Sequence, residues 1–178
     1  MLTNLKADIA RYIKNPKDKA NIYVFFEQGL WAIMVYRFGR WVRTVRLPIV
    51  SLLLKLIAFL LFKFIEIITG VSIPASARIG KGFYVGHFGP VILHSDVVIG
   101  ENFSIGPGVV VGTRGLQNKG VPHIGHNVYI GVGAKVLGDI KIGNNVKVGA
   151  NSVVLDNVAD GVTVVGIPAR MIKTRGQR

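Results

Sequence analysis

The sequence predicts a mainly β fold, a triangular coil of short strands, preceded by an α-helical extension. Three observations predict it. An aliphatic residue, often followed by glycine, recurs every six residues from Ile73 to Val154. The composition changes at Gly70: only Gly29 and Gly39 lie before it, and glycine recurs to the end after it. Half of the residues are hydrophobic types and the mean hydropathy is +0.45, which excludes a disordered basic chain.

The extension comprises residues 1–70. Residues 1–20 are polar and read as helical or frayed. Residues 22–46 read as a helix with Pro48 as its stop. Arg37, Arg40, Arg43 and Arg46 recur every three residues and fan around that helix, as on a solvated helix end; anion contact is the other reading. Residues 49–69, IVSLLLKLIAFLLFKFIEIIT, are long enough to span a bilayer core. Yet Ser51, Lys55, Lys63, Glu66 and Thr69 fall within about 120° of one another on a helix. Charges confined to one stripe favour a helix lying in a membrane interface or packed against protein over a simple span. The N-terminus shows no basic–apolar–small cleavage pattern, so no signal peptide is expected.

From residue 73 the period governs. Its registers are Ile73, Ile79, Val85; Leu93, Ile99, Ile105, Val111; and Ile124, Ile130, Val136, Ile142, Val148, Val154. Six residues fit neither a 3.6-residue helix nor plain two-residue alternation over this length. They fit a strand, a turn and an inward aliphatic at each corner of a triangular coil. Asn144, Asn145 and Asn151 suit turns that need special dihedrals.

ARIGKGFYVGHFGPVILHSDVVIG, HIGHNVYIGVGAKVLGDIKIGNNVKVGANSVV and VVGIPAR carry a resemblance to the hexapeptide-repeat acyltransferases. Within that family residues 71–173 resemble the serine O-acetyltransferase branch and its sugar-acetylating relatives. The resemblance implies a left-handed parallel β-helix over 71–173, followed by a basic tail, 174–178. It also implies acetyl-CoA as co-substrate and a homotrimer whose active sites are shared between chains. Donor-binding positions carried over by motif are Gly112, Thr113, Val132, Ala150 and Arg170, with Lys173 and Arg175 beyond as further phosphate contacts. For these last three cations a solvated basic terminus is the competing reading.

The period slips twice, between Val85 and Leu93 and between Val111 and Ile124. Such breaks are where backbone leaves a flat wall and side chains can converge. His87 sits in the first, within GHFGP. An imidazole of ordinary basicity can accept a hydroxyl proton near neutral pH. Spacing alone leaves His87 as either a general base or a satisfied turn histidine; the resemblance implies the base. The second break inserts TRGLQNKGVPH. His94 reads as a turn residue or cleft wall. His123 and His126 lie in strand and turn without an acidic cluster, so no metal site is expected.

The family pattern is broken where it would grip an amino acid. Ser72 stands where serine acetyltransferases have the aspartate that orients the base. Gly86 replaces a second aspartate, and Gly120 and Val121 replace an Arg-His pair. A free amino acid leaving water needs countercharges; a sugar hydroxyl needs only oriented hydrogen bonds. Ser72, a backbone carbonyl or a neighbouring chain is left to orient His87.

Composition bounds the function. The formal net charge is +13, with 22 Lys and Arg against 9 acids, which points to an anionic partner. The absence of cysteine excludes disulfides and thiolate chemistry. No nucleic-acid docking motif is present, so no nucleic-acid partner is expected. The leading expectation is an acetyl-CoA-dependent O-acetyltransferase with His87 as base. It acts on a sugar or surface-glycan precursor in the cytoplasm or peripherally at the inner membrane face, where an anionic lipid surface is a further partner. Serine O-acetylation for cysteine biosynthesis and a non-catalytic trimeric scaffold are the alternatives.

Overall fold

The computed structural model describes residues 2–13, 22–115, 117 and 119–172. Three helices come first: α1 (Leu2–Ala10), α2 (Gln28–Val42) and α3 (Pro48–Thr69), with a 3₁₀ turn at Ile22–Phe26 before α2. Fifteen short strands follow: β1 (Val71–Ser72), β2 (Arg78–Ile79), β3 (Tyr84–Val85), β4 (Val91–Leu93), β5 (Val98–Ile99), β6 (Ser104–Ile105), β7 (Val110–Gly112), β8 (His123–Ile124), β9 (Tyr129–Ile130), β10 (Lys135–Leu137), β11 (Lys141–Ile142), β12 (Lys147–Val148), β13 (Val153–Val154), β14 (Thr163–Gly166) and β15 (Ala169–Ile172).

The strands wind into three walls. The first stacks β1-β4-β7-β10-β13, the second β2-β5-β8-β11, and the third β3-β6-β9-β12-β14-β15. Every pairing is parallel except β14 with β15, which closes the C-terminal end as a hairpin. The six-residue register explains the core. Each aliphatic residue of the predicted register, from Ile73 to Val154, is buried. A second inward set lies two residues before the first: Ala77, Phe83, Val97, Phe103, Val109, Val128, Ala134, Ile140, Val146 and Ser152. Phe83 and Phe103 stack there with centroids 5.7 Å apart. The turns use asparagine for the left-handed conformation. Asn102, Asn127, Asn145 and Asn151 have φ of 54–58°, and the Asn102–Asn127–Asn145 side chains form a hydrogen-bonded ladder. Asn144 instead accepts the His126 amide.

A parallel coil leaves unpaired backbone at its first turn, the hazard of any edge strand. The extension covers it with side chains. Asp8 accepts the Phe83 amide, while the Tyr12 hydroxyl accepts from Val85 N and donates to Val85 O, both beside β3. The Tyr36 hydroxyl makes the equivalent pair of bonds to Ile79 N and Ala77 O at β2. Arg37 donates to Ile79 O and Gly80 O. At β1 the Val71 amide reaches the Thr69 hydroxyl. Burial pushes both phenols up from their ordinary value.

Two expectations for the extension are corrected. Arg37 is not a solvated helix-end cation: it is 4% exposed and ion-paired to Asp8, itself 0% exposed, at 2.7 Å. Its bonds to the coil compensate for lost hydration. The stretch 22–46 is not one helix stopped by Pro48. α2 ends at Val42, and Pro48 opens α3 at its first turn, where a missing N–H removes no intrahelical bond.

Residues 49–69 lie in the 22-residue α3, which ends at Gly70 with φ 73°. A Cβ there would press within 3.2 Å on Gly89 C and Pro90 N, so only glycine lets helix end and coil meet this closely. α3 packs along α2 with Ser51, Ala58, Phe62, Ile65 and Thr69 turned inward; its broad opposite face is exposed.

Candidate active site

The wall of β1, β4, β7, β10 and β13 has two margins, and all of the expected site residues except Arg170 lie along them. The turns after β3, β6, β9 and β12 stack into one margin. His87 occupies the first, Gly106–Pro107 the second, Val132 the third and Ala150 the fourth. Backbone bonds tie the stack: Gly86 N to Ile105 O at 2.9 Å, Gly133 N to Pro107 O at 2.8 Å and Asn151 N to Val132 O at 2.8 Å. Gly131 has no room for a side chain, because a Cβ would lie 2.7 Å from Ala150 N. Gly112 and Thr113 lie on the other margin, where β7 leaves for the inserted loop. Gly138 N binds Gly112 O at 2.9 Å, and His94 N binds Val111 O at 2.9 Å. Between the margins Lys135 projects from β10 and donates to Gly108 O.

His87 owes its position to the longer turn after β3, which lifts it off the wall. The turn is anchored to the helix end by Gly89 N donating to Thr69 O at 2.9 Å and Val91 N donating to Gly70 O at 3.0 Å. The His87 side chain is exposed, as is its neighbour Phe88. Among the described residues no hydrogen bond orients the imidazole. Ser72 lies instead beside Glu66, which accepts Lys63 Nζ at 2.6 Å. These two neighbours hold the Glu66 carboxyl below its ordinary range. Sequence reasoning placed Glu66 only on a polar stripe; its contact with Ser72, beside the His87 turn, carried no sequence signal.

The other histidines are engaged elsewhere. His94 Nδ1 accepts the Asp96 amide and His126 Nδ1 accepts the Glu101 amide. His123 lies on β8, facing out from the second wall. Arg170, on β15, is an exposed partner of Asp156 at 3.2 Å. Lys173, Arg175 and the basic tail lie outside the described residues.

The departures at the amino-acid grip have structural content. Gly120 sits so close to Asp139 that a Cβ would overlap that side chain. Val121 is partly buried against the coil's apolar core. Neither position offers a cation to a bound carboxylate.

A three-walled coil of hexads with a histidine at its first register break defines a class, and comparisons with known proteins agree. The model for "Bacterial transferase hexapeptide (six repeats)" matches residues 122–156. A serine acetyltransferase of Synechocystis sp. is 38% identical over 181 residues, covering 100% of this chain and 70% of that protein. The putative colanic acid biosynthesis acetyltransferase WcaB of Escherichia coli is 46% identical over 106 residues, 60% of this chain and 65% of that one. A solved serine acetyltransferase in complex with CoA superposes with a TM-score of 0.78 at 30% identity, covering 96% of this chain and 69% of the other.

The chain belongs to the hexapeptide-repeat transferases, in their serine-acetyltransferase-like branch, and its coil is that family's left-handed β-helix. It spans 59% and 70% of the lengths of the two cyanobacterial serine acetyltransferases it matches.

Proposed function

We propose that the chain is an acetyl-CoA-dependent O-acetyltransferase whose acceptor is a neutral hydroxyl, that of a sugar or surface-glycan precursor. His87 takes the proton from the acceptor hydroxyl. The freed oxygen forms a bond to the thioester carbonyl carbon, the C–S bond breaks, and the proton passes from His87 to the departing thiolate. Membership of an acetyltransferase family with CoA-bound relatives supports the reaction class. The observation that carries the acceptor is the apolar packing of Val121, together with the lack of room at Gly120, where serine acetyltransferases carry an Arg-His pair. The similarity to the colanic acid relative runs the same way.

The second reading is serine acetylation. Taken by name alone, the relatives favour it over a sugar: serine acetyltransferases match more of this chain than WcaB does, and one solved neighbour is a complex with serine. Thiol release from acetyl-CoA, measured with L-serine beside a panel of nucleotide sugars, separates the two. Sugar turnover with weak serine turnover is expected. A serine kcat/KM at or above about 10⁴ M⁻¹s⁻¹, an ordinary enzymatic value, establishes the second reading.

We further infer a homotrimer working in the cytoplasm, where acetyl-CoA is made. An exposed, unoriented His87 and donor positions split between two margins support an assembly in which a neighbouring chain completes the cleft. A solution mass of three chains by light scattering is expected; a monomer that turns over at full rate overturns it.

A further inference from the structure

We infer that the outer face of α3, together with the cations beside it, docks the protein on an anionic lipid surface, with the helix lying in the plane of the bilayer. This depends on the N-terminal helices alone, not on the acceptor of the reaction.

α3 packs with its amphipathicity inverted. Inward it turns a stripe that includes Ser51 and Thr69, and outward it shows its most apolar residues. Ile49, Leu53, Leu56, Leu60, Phe64 and Ile67 form a continuous exposed arc, with Ile67 81% exposed. Of the helix's residues only Ser51, Ile65 and Thr69 are buried. An apolar face of this extent needs cover, and the charges around it say which kind. Arg37 is neutralised by Asp8 and Lys63 by Glu66. Arg43, Arg46 and Lys55 form no ion pair among the described residues. Arg43 and Lys55 line the groove of about 250 Å³ between α2 and α3. These cations flank the helix on its α2 side, where their exposed ends can reach the headgroup layer that the apolar arc enters. A phosphate-bearing lipid surface would neutralise them while its acyl region took the leucines.

The geometry also argues against a span. α2 lies along α3 and is fixed to the coil through Tyr36 and Arg37. The far end of α3 is bonded to the His87 turn through Thr69 O. Driving α3 through a bilayer would drag α2 and the first coil with it or tear these contacts. Lying flat, the helix sets the His87 turn beside the lipid headgroups.

The test is flotation of the full chain with phosphatidylcholine vesicles, with and without phosphatidylglycerol, across a salt series. Binding to the mixed vesicles that falls with salt is expected, with little binding to the neutral ones. Arg43→Gln with Lys55→Gln should weaken it by about fivefold per charge removed. Leu56→Glu with Leu60→Glu should abolish it; both positions are exposed, so the melting temperature should hold. Equal flotation on neutral and anionic vesicles overturns the inference. So does a chain that never floats and whose oligomer is split by Leu56→Glu with Leu60→Glu, because a second copy then covers the face. Protease protection of residues 43–47 inside sealed vesicles also overturns it, by showing a span.

Discussion

Asp8→Ala is the sharpest test of how the helices hold the coil. The Asp8 carboxylate accepts Arg37 Nε at 2.7 Å, Arg37 Nη2 at 3.1 Å and the Phe83 amide at 2.8 Å. Removing it leaves a guanidinium at 4% exposure with the carbonyls of Ile79 and Gly80 and the face of the Tyr36 ring but no countercharge. Unpairing one member of a buried ion pair costs about 3–5 kcal/mol. The orphaned Phe83 N–H is worth about 1–3 kcal/mol by itself, and the two overlap, so about 4 kcal/mol is expected. For a chain of this size each kcal/mol moves the midpoint by about 2–4 °C, giving a fall of about 8–16 °C in Tm. Thermal melts followed by circular dichroism read it. Arg37→Met in the Asp8→Ala background should recover part of that loss, because it removes the unpaired buried charge while the Ile79 and Gly80 carbonyls lose their donor. A fall of less than about 3 °C for Asp8→Ala, or further loss in the double variant, would refute the argument that this pair clamps the extension to β2 and β3.

His87→Ala should lower kcat by about 10²–10⁴ while leaving CoA affinity by calorimetry and the melting curve near wild type. Retention of a third of the rate would remove His87 as the base. Asn145, at φ 58°, should lose about 1 kcal/mol as alanine and little as glycine, read as the Tm difference between the two variants; equal loss from both would assign the effect to the asparagine ladder. The Tyr12 and Tyr36 phenols are raised above their ordinary 10.0 by burial. With folded values above unfolded ones, their contribution to stability is complete below pH 10 and is lost as pH rises through the folded values. Tyrosinate absorbance from these two should therefore lag until the circular dichroism signal collapses; ionisation of every tyrosine in a native-like fold would contradict their hydrogen bonding to the edge strands.

What the sequence displayed and what it hid follow from one cause. Corner aliphatics are confined to Val, Ile and Leu, so their period is visible, and each is buried. The second inward set ranges from Phe103 to Ser152 because the space varies around the coil; no residue type marks it. Arg37 read as solvated because its spacing matched that of Arg40, Arg43 and Arg46. Its burial depends on Asp8, twenty-nine residues earlier, and on carbonyls more than forty residues later. Pro48 shows the ambiguity of a local signal, since the same ring that ends one helix can begin the next. For the candidate site, the register break was legible and located His87. The placement of Ser72 beside Glu66 was not, because it arises only where α3 meets β1.

The stacked turns amount to a graduated rule. Adjacent strands stand about 4.8 Å apart, so the turn holding His87 is three graduations, about 14 Å, from that holding Ala150. Reach between them is set by counting coils, not by choosing side chains. Excising the coil from Gly131 to Val148 would bring Ala150 onto the graduation now held by Val132. It would shorten the reach by about 5 Å and leave every remaining turn locally unchanged. A donor whose length matches the present interval would then overhang His87 by one notch.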